Sequence, residues 1–299
     1  MRAPPLPVRD GLGPARLRLR GGPVLEEFRS RFGPAVAAKV VAGEVVDADG
    51  AVLDADAVMP AGACVYFYRE LAGEVPVPFD IPVLHRDDDI VVVDKPHFLA
   101  TMPRGRHVAQ TALVRLRREL NLPQLSPAHR LDRLTAGVLV FTARREVRGR
   151  YQTLFSAGRV RKTYLARSSA RPRVRLPHLV RNRIIKRRGL LQALIEPGEP
   201  NAETLVEDLG DNLYRLTPRT GRTHQLRVHM ASLGVPIDGD PLYPNVVDVP
   251  ANDFLTPLQL LAHSIEFDDP RSGAPRRFVS RRRLDGLALR DQHGSPSGV

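Results

Sequence analysis

The run His129-Arg130-Leu131-Asp132-Arg133-Leu134-Thr135-Ala136-Gly137 passes directly into the apolar Val138-Leu139-Val140-Phe141. An unbroken apolar run of this kind suits a strand covered on both faces, so Val138–Phe141 reads as buried sheet. The nine residues before it set one carboxylate, Asp132, among basic neighbours at the mouth of that strand. Most aspartates serve as turn or ion-pair residues. The run around Asp132 points instead to a candidate nucleophile or base.

Downstream of this strand the chain becomes strongly basic. Between Glu146 and Glu196 there is no acidic residue, yet the interval holds 12 Arg and two Lys. The whole chain carries a formal charge of +12 and a pI near 10.7, so this interval alone exceeds the net charge. A solvated surface mixes signs to limit self-repulsion, and a long single-sign run calls for an anionic partner such as a polyphosphate backbone. Arg181, Arg183, Lys186 and Arg187 are the candidate contacts at its centre. Apolar patterning at Tyr151–Phe155, Lys162–Ala166 and Leu190–Ile195 argues against a disordered basic tail.

A chain of 299 residues suggests about two domains. With 42% apolar residues, 5% aromatics and no Trp, the core is aliphatic and the protein reads as globular and soluble. No apolar run approaches the roughly 18 residues of a membrane span, and the N-terminus has no secretory h-region, which predicts a cytoplasmic protein. Cys64 is the single cysteine and reads as a small core residue; no Cys or His spacing matches a zinc site.

Residues 1–22, rich in Pro, Gly and Arg, read as a flexible lead. Residues 23–72 read as a small α/β module: a helix over Val24–Phe32, alternating stretches around a turn at Asp49-Gly50, and a closing strand at Cys64–Tyr68. Within Val24–Tyr68 three basic residues face seven acidic ones, a net −4 that argues against direct binding of a polyanion there. Pro76, Pro78 and Pro82 make residues 73–82 a semi-rigid linker, and residues 83–299 form the second domain. In that domain Ile90–Val93 is a β-branched buried strand stopped by Asp94-Lys95-Pro96. Arg106–Asn121 reads as an amphipathic helix bearing Leu113, Leu116 and Leu120.

Two further runs complete the pattern. Arg161-Lys162-Thr163-Tyr164-Leu165-Ala166 is a strand carrying an aromatic with a free hydroxyl. Thr220-Gly221-Arg222-Thr223-His224-Gln225-Leu226-Arg227-Val228-His229-Met230-Ala231-Ser232-Leu233-Gly234 reads as a turn loosened by Gly221, then a helix with a Leu226, Met230, Leu233 stripe and Gly234 just past its end. His224 and His229 stand five residues apart, on different helix faces and without an acidic third ligand, so no metal site is expected.

Together these runs resemble the RluA-type pseudouridine synthases: the His-Arg-Leu-Asp motif at 129–132, the Lys-x-Tyr motif at 162–164, the Gly-Arg-Thr-His-Gln-Leu-Arg-x-His motif at 221–229, the Lys95-Pro96 strand end and a closing strand at Leu258–Phe267. The resemblance spans His85 to about Phe278. It implies an α+β fold with a mixed, largely antiparallel sheet and a basic active-site cleft, preceded here by a module resembling S4-type RNA-binding modules. It implies isomerisation of uridine to pseudouridine in structured rRNA or tRNA by a monomer, after extrusion of the base. Asp132 would be the catalytic carboxylate, by attack at C1′ or by proton abstraction at C2′. Tyr164 would floor the uracil, and Arg222 would pair with Asp132. Arg130 would brace the flipped nucleotide, with Arg161 and Lys162 beside it on the RNA. The reaction needs no redox change, group donor, metal or cofactor. Loss of Asp132, Tyr164 or Arg222 would mark a non-catalytic RNA-binding relative, and all three are present. A hydrolase using Asp132 with His129 or His224 would need an activated water, which the isomerase must exclude.

Overall fold

The computed structural model describes residues 4–69, 73–105 and 107–284. The chain divides into two compact units, Met1–Glu74 with Arg104–Ala109 and Val114–Pro123, and Val75–Pro103 with Gln110–Leu113 and Gln124–Val299.

The smaller unit contains β1 (Ala15–Arg18), β2 (Gly22–Pro23), α1 (Val24–Phe32), α2 (Pro34–Val41), β3 (Val58–Met59) and β4 (Cys64–Phe67), with β1 antiparallel to β4 and β2 to β3. The helix expected at Val24–Phe32 is present as α1. The flexible lead is not: Leu17 and Leu19 alternate into the core beside Val24, Phe28, Val40 and Val65, so strand pairing orders the chain from Ala15 onward. The uninterrupted second domain expected from residue 83 also needs correction. The Glu74 carboxylate accepts the backbone N–H groups of Val108 and Ala109 at 2.9 and 2.7 Å, and Arg117 donates to the Gly11 carbonyl at 3.2 Å, which ties residues 104–109 and 114–123 to the smaller unit. Those same bonds take the backbone of Val108 and Ala109 out of any helix. The expected helix over 106–121 is therefore shortened to α3 (Ala112–Glu119), while Arg106 lies outside the described residues.

The larger unit runs β5 (Val83–Arg86), β6 (Ile90–Lys95), β7 (Ser126–Pro127), β8 (Ala136–Thr142), α4 (Arg145–Ser156), β9 (Arg161–Arg167), β10 (His178–Ile185), β11 (Leu194–Glu196), β12 (Ala202–Asp208), β13 (Leu213–Pro218), α5 (Gln225–Ser232), β14 (Leu260–Asp268) and β15 (Pro275–Val279). Its strands form one eleven-stranded sheet in the order β11-β10-β12-β13-β9-β14-β8-β6-β5, with β15 added on β14 and β7 on β8. Among the described pairs β14–β8 is parallel and the others antiparallel, the mixed, largely antiparallel sheet expected.

Both strands read as buried are so: every residue of β6 and β8 is out of solvent. Helix α4 lays Val147, Tyr151 and Leu154 on Val138, Val140 and Ile265 of the sheet. Helix α5 lays Leu226 and Met230, with Leu233 after it, against Ala166, Val206, Leu216 and Leu260. Each such side chain contributes about 1.5–3 kcal/mol on burial. Gly137 sets the start of β8. Its φ is 111°, and a Cβ there would stand 2.2 Å from the Ala262 carbonyl oxygen, so only glycine lets β8 meet β14 at this point. Near the C-terminus, Arg282 is half-buried and donates to the Asp94 and Asp80 carbonyls at 3.1 and 3.3 Å. It therefore serves packing at the end of β6, whereas Arg281 and Arg283 are exposed.

Candidate active site

Asp132 sits in the loop before β8, and that loop is held at three points by the end of β6 and the segment after it. Thr101 Oγ1 accepts the Leu131 N–H at 3.1 Å and donates to the Leu131 carbonyl at 2.8 Å. Lys95, fully buried, donates through Nζ to the carbonyls of Pro96, Leu99 and Arg133 at 2.9, 2.8 and 3.3 Å. His97 Nδ1 meets the Leu134 carbonyl at 2.8 Å. The Thr135 N–H closes the turn on the Asp132 carbonyl at 3.1 Å. These bonds fix the backbone on both sides of Asp132 and leave its carboxylate half-exposed in the cleft. Burial drives the Lys95 amine well below an ordinary lysine, and the Asp132 carboxylate opposes that fall.

His129 is no partner for Asp132. The Val140 N–H donates to its Nε2 at 3.1 Å, and its ring stacks on Phe155 at 4.4 Å with a 12° tilt. Burial, then the charge of Lys162, lowers its pKa to about 3, so it is a neutral brace between the loop, β8 and α4.

The cleft holds about 720 Å³ and is lined by residues 128–132 and 135, by Phe155–Gly158 at the end of α4, by Lys162 and Tyr164 of β9, and by Pro218–Arg227. Lys162 and Tyr164 share a face of β9 because strand side chains alternate. Burial, aided by the Asp132 carboxylate, raises the Tyr164 phenol well above its ordinary value, so its hydroxyl keeps its proton. Lys162 is half-buried, and among the described residues its Nζ has no hydrogen-bond or ion-pair partner. A desolvated ammonium without a counter-ion suits an anionic ligand.

The same alternation turns Arg161 away from the cleft, toward Glu266 at 3.9 Å, which corrects its expected place beside Lys162. Arg130 is exposed at the cleft wall. Arg181, Arg183, Lys186 and Arg187 lie on β10 and the loop after it, and none lines the cleft. Arg181 and Arg187 are partly neutralised by Glu203 and Glu196, while Lys186 donates to the Leu190 carbonyl.

Arg222 lines the cleft, but the expected pair with Asp132 is not formed. Its side chain is exposed and donates through Nε to the Asn201 carbonyl at 3.0 Å. The turn beneath it is held by Gln225, which the sequence reading passed over. Gln225 Oε1 accepts from the Arg222 N–H and the Thr220 hydroxyl at 3.0 and 2.8 Å, and its Nε2 donates to the Glu203 carbonyl and Thr204 Oγ1 at 3.0 and 2.9 Å. Gly221, read as loosening this turn, is not among the glycines with positive φ. His224, at φ 58° and ψ 17°, takes the left-handed conformation and caps α5. Gly234 follows the helix end with φ 82°, as its position suggested. Lys95, Thr101, His97 and Gln225 are the positioning groups missed; a buried cation closing a β-branched strand and an amide inside the third motif were the available signals.

Comparison with known proteins gives a consistent result. Residues 89–232 match the RNA pseudouridylate synthase family. A Haemophilus influenzae protein described as an uncharacterized RNA pseudouridine synthase is 33% identical over 167 residues, covering 55% of this chain and 74% of that protein. The dual-specificity RNA pseudouridine synthase RluA of Salmonella typhi is 36% identical over 202 residues, covering 64% and 88%. Among solved structures, human RNA pseudouridylate synthase domain containing 4 superposes with a TM-score of 0.51 at 26% identity, covering 68% of this chain and 88% of that one.

Proposed function

Since the chain belongs to the RluA-type RNA pseudouridine synthases, isomerases that act on RNA, we propose that Asp132 is its catalytic carboxylate and that the cleft isomerises an extruded uridine of rRNA or tRNA. One observation carries this reading: a rigidly held, half-exposed carboxylate shares a cleft with a protonated phenol and a lysine that has no ion-pair partner among the described residues.

The reaction breaks the bond from N1 to C1′ and forms one from C5 to C1′. C5 loses a proton and N1 gains one, so no redox partner or group donor enters. Asp132 attacks C1′ or takes the C2′ proton while the uracil is detached. Tyr164 offers a flat ring for the uracil and a hydroxyl that can exchange the C5 proton. Lys162 and the exposed Arg130 and Arg222 are suited to the phosphates flanking the extruded nucleotide. Arg222 can swing from the Asn201 carbonyl to Asp132 when RNA closes the cleft, which would supply the pairing absent from the free enzyme. The protein acts as a cytoplasmic monomer in this reading.

Mapping pseudouridines across total RNA from cells with and without the gene would name the RNA and the position together. A set of sites lost with the gene and restored by the parent but not by Asp132→Asn supports the proposal. No lost site would overturn it. Tyr164→Phe should keep the fold and slow turnover about 10–100-fold if the hydroxyl moves a proton, while a parent-like rate would leave stacking as its sole role.

A further inference from the structure

We propose that His224 selects uracil by accepting a hydrogen bond from the base N3–H at its Nε2. The inference rests on the cleft being a uridine site and adds a specificity-determining residue to it.

The imidazole is held in one orientation by groups outside the reaction. His224 Nδ1 lies 3.0 Å from the Tyr243 hydroxyl, and the two rings meet edge to face at 5.8 Å. The same hydroxyl accepts the Ala193 N–H at 2.6 Å and lies 3.1 Å from the Ala193 carbonyl, to which it donates. It has one proton. Given to the imidazole, that proton would leave the Ala193 carbonyl without it. Given to Ala193, it lets every group be satisfied, with His224 carrying its own proton on Nδ1. Tyr243 is fixed in turn: Asp240 accepts its backbone N–H at 3.1 Å and holds Arg227 in a fully buried ion pair, whose guanidinium lies over the tyrosine ring at 5.3 Å. The tautomer is thus set, and Nε2 is left as an acceptor.

His224 lines the cleft with Asp132 and Tyr164. It does so from a left-handed backbone position that a non-glycine residue seldom occupies, held by the Gln225 network. Burial keeps the ring neutral, with a pKa of about 4, against the pull of Asp132 and with the help of Arg227 and Lys186.

Uracil presents N3–H between two carbonyls, whereas cytosine presents a lone pair at N3. An acceptor at this point welcomes the first and repels the second. The geometry of the reaction gives it a second merit. A half-turn of the ring about the N3–C6 axis exchanges N1 with C5 and O2 with O4, and leaves N3 where it was. A contact at N3–H can therefore persist while the base reorients, whereas a donor aimed at either carbonyl would have to change partners.

The test is a cycle between protein and substrate. Synthetic stem-loops carry, at the uridine identified by mapping, either uridine or 3-deazauridine, which replaces N3–H by C–H. Single-turnover rates are measured for the parent, His224→Asn, which tolerates the left-handed backbone but is too short to reach, and His224→Gln, whose amide oxygen approaches the Nε2 position. The deaza penalty in the parent should exceed that in His224→Asn by about 10-fold or more, with partial recovery in His224→Gln. Equal penalties in parent and His224→Asn would overturn the proposal. If His224→Asn fails to fold, nitrogen-15 NMR of the parent decides: a bare Nε2 supports the assignment and a protonated Nε2 overturns it. A parent that modifies no RNA would instead remove the uridine reading, and the NMR outcome would stand apart from it.

Discussion

Asp132 and Arg222 face the same cleft from loops held in opposite ways. The Asp132 loop is fastened by side chains 30 to 38 residues earlier in the chain, through Thr101, Lys95 and His97. The Arg222 turn is fastened from within its own motif, by Gln225. The first ends in a strand entry that glycine alone permits, at Gly137; the second begins at Gly221, whose backbone is ordinary and whose nearest neighbour to an added Cβ is Lys162 Nζ at 3.9 Å. One loop is a fixed seat for the carboxylate proposed to react, and the other presents an exposed cation held by a single backbone carbonyl.

The sharpest way to break this contrast is at the seat. Asp132→Asn should lower isomerisation by about 10⁴-fold or more while RNA affinity stays within about 3-fold, because binding rests on cations elsewhere. Release of tritium from RNA labelled at uridine C5 checks it, and a near-parent rate would remove Asp132 from the chemistry.

Paired glycine substitutions come next. Gly137→Ala should cost about 3 kcal/mol or more, since it combines positive φ with a backbone clash, while Gly221→Ala should stay within about 1 kcal/mol. Urea denaturation of both variants reads the difference. Comparable losses would mean that the two loops are equally constrained.

The opposite means of support also explain which parts were legible beforehand. The buried strands announced themselves because Ile90–Val93 and Val138–Phe141 are continuous apolar runs, and helix α5 because Leu226, Met230 and Leu233 recur at helical spacing. Gln225 acts on its own neighbours, so its motif was visible even though its role was not. The clamp on the Asp132 loop was hidden, since nothing in Lys95 or Thr101 says that a loop 30 residues later will fold over it. The lead was misjudged for a similar reason: Leu17 and Leu19 are only two apolar residues until β4 supplies their partner strand. The Arg222 pairing with Asp132 came from the resemblance alone, and nothing in the run around Arg222 showed that its guanidinium would reach the Asn201 carbonyl instead.

Acid should loosen the fixed seat in a defined window. Burial lowers His97 to about 4 and His129 to about 3, from 6.5 in an exposed histidine. Between those values and 6.5 the unfolded chain binds more protons than the folded one, so stability is full above pH 6.5 and falls as pH falls. From pH 6.5 to 5.5 the loss should be roughly 1 kcal/mol for each histidine, before carboxylates titrate. Denaturation curves at the two pH values check it. His129→Gln should flatten the dependence, and an unchanged slope would mean that this histidine is charged in the folded protein.

The smallest effect separates cations that are already answered from those that are not. Arg181 and Arg187 stand against Glu203 and Glu196, whereas among the described residues Arg183 has no ion-pair partner and Lys186 meets a carbonyl. If the acid-free interval tracks the RNA backbone, each phosphate neutralised adds about 0.7–0.9 to the slope of log affinity against log salt. Replacing Arg183 and Lys186 with Gln should therefore flatten that slope by about 1–2, since both charges are available to phosphate. Replacing Arg181 and Arg187 should change it less, because both charges already answer carboxylates, and Glu203 keeps Arg219 at 2.6 Å when Arg181 is removed. Filter binding from low to high salt distinguishes the two double variants. Equal changes would mean that RNA displaces the glutamates, and no change in either would place this face of β10 away from the RNA while leaving the cleft and its Lys162 untouched.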